Sequence, residues 1–175
     1  MKPKLLLLAL VLSFTWTSNA QENKDYPALV TTLDSTLATL YGVISGEKGE
    51  ARDWDLFKYL FHPKGQLIYS VKTKSGAHAL TYMSPQDYIE RSGPWLVENG
   101  FFEVEVARKE DHFGNICQVF STYESYRSKT DDKPFMRGIN SIQLQFDGTR
   151  WWIVNIYWTP ETPDNPIPQQ YLKTN

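Results

Sequence analysis

The stretch "RGINSIQLQFDGTRWWIVNIYW", Arg137 to Trp158, decides how the rest of the chain is read. Apolar residues alternate on both sides of Asp147-Gly148, and a period of two marks half-buried strands. Asp-Gly is a strong signal for a two-residue hairpin turn. With that turn, Phe146 pairs with Thr149 and Asn140 lies opposite Asn155. With a four-residue loop, 147 to 150, Asn140 lies opposite Tyr157 and Asn155 opposite Ile142. In either register both amides share the face of Ile142, Leu144, Phe146, Trp151, Ile153 and Tyr157. An odd-length loop would separate them, because a one-residue slip turns a strand over.

A buried amide without partners costs ~1–3 kcal/mol. The two asparagines therefore either satisfy each other in a packed core or line a cavity. An apolar wall with a few convergent polar groups is the usual make-up of a small-molecule site, and the cavity is the favoured reading. Asn140, Asn155 and Tyr157 would supply its hydrogen bonds and Trp151 its apolar surface. On the opposite face the second strand shows Trp152, Val154, Ile156 and Trp158. That stripe is too apolar to stand in water. Either the C-terminal tail covers it or a second copy does, and a homodimer through these four residues is expected.

Working outward, the last segment, 161 to 175, is rich in proline and reads as a tail packed on the domain. Upstream, Leu29, Leu33, Leu37, Leu40, Tyr41 and Ile44 recur at helical spacing. Asp53 caps a second short helix carrying Trp54, Phe57, Leu60 and Phe61. "QLIYSVKT" and "AHALTYM" form a hairpin. Ser84, Pro85 and Asp87 start a third helix, which Gly93-Pro94 is expected to break. "FFEVEVARKE" and "ICQVFSTYESYR" are two more strands. Helices followed by antiparallel strands predict an α+β domain over 21 to 160, a curved sheet wrapped on three N-terminal helices.

The first twenty residues stand apart. Lys2 and Lys4 precede the apolar run Leu5 to Phe14, and Ser18-Asn19-Ala20 offers small residues before Gln21. This is the layout of a secretory signal peptide. It predicts export to a bacterial periplasm or beyond, with no membrane insertion after cleavage. The chain of 175 residues has a formal net charge of −2, and the leader takes two lysines and no acid with it. An acidic domain without a basic cluster offers no footprint for nucleic acid. Cys117, the single cysteine, lies in a strand and reads as a buried thiol.

The segments "LYGVISGEKGEARDWDLFKYLFHPKGQLI", "FGNICQVFSTYES", "RGINSIQLQFDGTRWWIVNIYW" and "PIPQQYL" resemble bacterial members of the nuclear transport factor 2-like superfamily, the SnoaL-like branch. The resemblance implies a cystatin-like cone with a cavity at its open end, and dimerisation through the outer face of the sheet. The superfamily includes ketosteroid isomerase, scytalone dehydratase and polyketide cyclases as well as proteins without activity, so the fold does not choose among them.

His62, at the end of the second helix, is the candidate acid–base residue. His78 and His112 read as exposed, and no metal-ligand spacing or nucleophile elbow is present. Glu103 and Glu105 share one face of their strand, which reads as solvated. Tyr123 shares a face with Ser121, Cys117 and Val119 and would reach a cavity beside Asn140; Tyr41 and Trp95 are further wall candidates. The leading expectation is a secreted protein binding a small, partly apolar molecule without a cofactor. The alternatives are a cofactor-independent lyase or isomerase and an interaction module working through the outer face.

Overall fold

The computed structural model describes residues 25–172, so the proposed leader lies outside the described residues. A short 3-10 turn, Pro27–Val30, leads into α1 (Leu33–Ile44). Thr32 starts α1 with a reciprocal capping box to Ser35, and the helix buries Leu37, Leu40, Tyr41 and Ile44. Asp53 caps α2 (Trp54–Leu60), accepting from the Leu56 N–H at 3.1 Å. β1 (Phe61–Lys72) and β2 (His78–Met83) form the first hairpin. Then come α3 (Pro85–Asn99), β3 (Phe102–Phe113), β4 (Ile116–Tyr126), β5 (Met136–Phe146) and β6 (Trp151–Pro160). A final 3-10 turn spans Gln169–Tyr171.

The strands make one sheet of six in the order β2-β1-β6-β5-β4-β3. Neighbours are antiparallel except β1 and β6, which run parallel. The sheet is therefore mixed, and the three helices pack on its inner face. Phe57 and Leu60 of α2 and Leu37 of α1 meet Val119, Ile142, Leu144 and Ile153 of the sheet in one core. The α+β expectation is met, with helices covering one face of a sheet whose two end strands remain open.

One local expectation is corrected and one open choice is resolved. Helix α3 does not stop at Gly93-Pro94 but runs on to Asn99. Pro94 and Glu90 are both exposed, so the carbonyl that loses its N–H partner is open to water. Gly93 is buried against Trp54, where a Cβ would stand 3.1 Å from the indole ring. The β5–β6 turn is the four-residue loop, since Phe146 pairs with Trp151. Asp147 Oδ1 holds it closed, accepting from the N–H groups of Thr149 at 2.8 Å and Arg150 at 2.9 Å.

The larger correction lies within β6. Gln143 pairs with Asn155 but Leu144 pairs with Ile153, leaving Val154 as a β-bulge. One extra residue reverses every side chain that follows. Ile156 and Trp158 consequently face inward, opposite Ile142 and Asn140, while Asn155 and Tyr157 face outward beside Gln143 and Ser141.

The C-terminal tail crosses the outer face. Tyr171 packs edge-on against Phe120 at 5.0 Å, and its carbonyl accepts from the Thr122 hydroxyl at 2.6 Å. Ile167 and Leu172 are half-buried there.

Candidate functional site

Strand β3 brings the first surprise. Val104 is 44% exposed, whereas Glu103 and Glu105 face inward, opposite Ser125 and Tyr123 in the ladder's neighbourhood on β4. The solvated reading of these acids is overturned. Alternating acid and valine is symmetric as a pattern. What orients the strand is its neighbour, whose inner face carries Ser121, Tyr123 and Ser125, all buried.

The Glu103 carboxyl accepts from Asn140 Nδ2 at 3.3 Å and from the Ser125 hydroxyl at 3.2 Å. Burial raises its pKa to about 7, and those two hydrogen bonds pull it back only in part. Tyr41, Tyr88 and Tyr123 surround it. Burial pushes all three hydroxyl pKa values up, and the charge of Glu103 adds to the rise in each case. Gly138 makes the space for Tyr123, because a Cβ there would collide with the phenol oxygen.

A pocket of about 190 Å³ opens beside Glu103 between α1, α3 and the inner face. Leu40, Phe57, Leu67, Leu96 and Ile156 form apolar wall, and Glu103, Asn140, Tyr88 and Tyr123 bring polar atoms to it. Trp95 and Phe101 stand at one side, with the Arg127 guanidinium 4.3 Å above the Trp95 ring. Arg52 fixes this end of the molecule. Its buried guanidinium donates to the carbonyls of Ile44 at 3.1 Å, Gly46 at 2.6 Å and Leu96 at 3.3 Å, tying the end of α1 to α3.

Behind Asn140 the polar contacts continue. Asn140 Nδ2 donates to the Tyr41 hydroxyl at 3.1 Å, and Tyr41 and Ser121 share a hydrogen bond of 2.6 Å. The Ser121 hydroxyl donates to Glu105, which also takes Arg108 Nη1 at 3.3 Å. Burial raises the Glu105 pKa, while Ser121 and Arg108 oppose the rise. Arg108 also pairs with Asp34 and with Glu110.

Of the residues singled out in the sequence, the structure brings Asn140, Tyr123, Trp95 and Tyr41 together here. Asn155 and Tyr157 are turned to the outer face by the bulge. Trp151 faces inward but lies at the turn end, packed on Phe146 at 5.5 Å and His112 at 6.3 Å. His62 does not line the pocket. Its Nδ1 accepts from the Lys64 N–H at 3.2 Å, and its ring meets Trp152 edge-on at 6.1 Å. Of the two, Glu103 lines the pocket and His62 does not. Cys117 is buried and its thiol is pushed up to about 11, mainly by burial.

The outer stripe of Trp152, Val154, Ile156 and Trp158 does not form. Ile156 and Trp158 are inside, and Trp152 is engaged within its own chain. Its Nε1 donates to Asp147 at 2.6 Å and the Arg150 guanidinium lies 3.6 Å from its ring. The expectation of a homodimer then rests on resemblance alone. A groove of about 320 Å³ does run on the outer face beneath the tail, between Phe120, Tyr157, Ile167 and Tyr171. Its one carboxylate, Glu161, is tied to Arg137 at 2.8 Å, so the groove offers shape but little chemistry. Among the described residues, no group of three or more His, Cys, Asp or Glu side chains is placed to hold a metal ion. No helix among them is long and apolar enough to cross a membrane.

No protein-family model and no curated protein matches the chain. Solved structures do. A nuclear transport factor 2-like protein of unknown function from Silicibacter pomeroyi superposes with a TM-score of 0.51 at 15% identity, covering 74% of this chain and 92% of its own. A putative scytalone dehydratase from Novosphingobium aromaticivorans gives 0.54 at 10% identity over 74% and 81%. A putative calcium/calmodulin-dependent protein kinase type II association domain from Thiobacillus denitrificans gives 0.56 at 11% identity over 77% and 98%.

Proposed function

From a nuclear transport factor 2-like fold with a carboxyl set into its pocket, we propose that this protein binds a small, partly apolar molecule beside Glu103 and moves a proton on it. The observation that carries this reading is Glu103 itself, a carboxyl with a pKa raised to about 7 among tyrosine hydroxyls at an apolar cavity. A group that titrates near neutral pH is suited to take and return a proton. The reaction class is a cofactor-independent isomerisation or elimination. Glu103 would take a proton from carbon, and the Tyr88 or Tyr123 hydroxyl would hydrogen-bond the oxygen on which charge develops. His62 has no part in it. Size supports a compact ligand, since an apolar void of about 150 Å³ takes benzene and this pocket is about 190 Å³. The solved neighbours share the fold and bring no reaction with them.

The test is proton exchange at carbon. 2-Hydroxycyclohexanone in D2O should lose its α-proton signal faster with the protein than with buffer, and Glu103→Gln should abolish the gain while still binding. Equal exchange with the wild type and with Glu103→Gln would leave a binding protein without catalysis. Export is proposed from the leader alone, and the mass of the protein recovered from periplasm should place its first residue at Gln21.

A further inference from the structure

The polar contacts behind the pocket have a direction, and that direction decides what Asn140 shows to a ligand. Arg108 Nη1 lies 3.3 Å from Glu105 Oε2, so Glu105 is held as a carboxylate and only accepts. Ser121 has one hydroxyl proton, and it goes to Glu105 Oε1. Ser121 therefore has none for Tyr41. The 2.6 Å bond between them must be a donation from Tyr41 to Ser121. With its proton spent there, Tyr41 accepts from Asn140, so the group of Asn140 that lies 3.1 Å away must be the NH2. The same nitrogen lies 3.3 Å from Glu103, which accepts from it as a carboxylate and can donate once protonated. Side-chain amide orientation follows from its hydrogen-bond network, and here Tyr41 decides it.

The amide oxygen is left over. Asn140 is 6% exposed, and no hydrogen bond from the described residues reaches its Oδ1. That oxygen is not sealed off, because the buried side-chain polar atom without a partner among the described residues is Arg150 Nη1. What is accessible of Asn140 opens on the pocket it lines.

We propose that the chain Arg108–Glu105–Ser121–Tyr41 fixes Asn140 as a hydrogen-bond acceptor toward the pocket, so that the site selects small ring molecules bearing an alcohol or N–H over equally sized molecules that only accept. Glu105, Ser121 and Tyr41 are positioning residues that act through Asn140. A pocket built to receive a donor rejects an analogue lacking it, since the buried acceptor is then left unpaired. The inference rests on the ligand reading of the pocket and deepens it.

Cyclohexanol and cyclohexanone test it, being nearly the same size and differing in the donor. Calorimetric titration of the wild type should show cyclohexanol bound about 10-fold tighter or more. Glu105→Gln supplies the decisive comparison. A glutamine NH2 donates to Ser121, Ser121 then donates to Tyr41, and Tyr41 to Asn140; at about pH 6, where Glu103 holds its proton and donates as well, the amide turns over and presents NH2 to the pocket. The preference for cyclohexanol should vanish or reverse, whereas a general loosening of the site would weaken both probes alike. Equal affinity of the wild type for the two, or an unchanged preference in Glu105→Gln, overturns the inference and leaves the pocket reading standing. Failure of both probes to bind the wild type overturns the pocket reading and the inference with it. A measurement on the wild type needs no variant to fold: both Asn140 side-chain NH2 protons should exchange slowly with solvent and show contacts to Tyr41. Fast exchange without those contacts contradicts the assigned direction.

Discussion

Glu103 stands where water is replaced by Asn140, Ser125 and three phenols, and its carboxyl pays for that in acidity. Its pKa rises from the usual 4.5 to about 7 on folding. In that window the folded state holds the proton and the unfolded state has lost it, so folding is favoured at low pH. The contribution is complete below pH 4.5 and fades as pH rises to about 7. A shift of this size corresponds to about 3 kcal/mol. Glu103→Gln should therefore flatten the decline of stability across the window and be more stable than the wild type at pH 8, which urea unfolding at several pH values would show. The residue was hidden in the sequence because "FEVEV" alternates equally well with either face inward. Asn140 was legible because an amide interrupted an otherwise apolar face. Tyr41 and Tyr123 were legible for the related reason that a phenol on a core face needs somewhere to put its oxygen.

At the scale of elements, the bulge at Val154 does what a change of loop length would have done. It leaves the first half of β6 in register and reverses the second. Deleting Val154 would make the ladder regular from Ile153 to Asn155, keeping Asn155 and Tyr157 outward and Ile156 and Trp158 inward. The expected result is a cooperative unfolding transition retained by circular dichroism; its loss would contradict this placement of the extra residue. Gly138→Ala should cost roughly 1–3 kcal/mol by crowding Tyr123 and the Thr159 carbonyl, measured as a fall in the denaturation midpoint. Arg52→Met removes the side-chain donor to the carbonyls of Ile44, Gly46 and Leu96, of which Gly46 keeps the Phe101 N–H at 3.1 Å. It should lower stability by about 1–3 kcal/mol and weaken binding at the pocket that Leu96 lines. Element order was readable throughout, because caps, period changes and turn residues are local. The bulge was not. Nothing in "WWIVNIYW" marks Val154 except the pairing it makes with β5, and pairing is not local.

At the scale of the whole molecule, an open sheet of six strands packs on three helices, and a carboxyl, an amide and phenols are set into an apolar wall between them. The fold followed from the alternation and order of segments, and the likeness to solved structures agrees with it. The outer face was misjudged, since the bulge takes half of its supposed stripe inside and the tail covers more. Function depends on whether the carboxyl in the pocket is as perturbed as its surroundings imply and whether a ligand reaches it. Both are read in one experiment: a carbon-13 NMR titration of the glutamate carboxyls, with Glu103 identified by Glu103→Gln, run with and without saturating cyclohexanol. The account predicts a midpoint near pH 7 that moves when the probe is added. A midpoint near 4.5 that the probe leaves unchanged would contradict it.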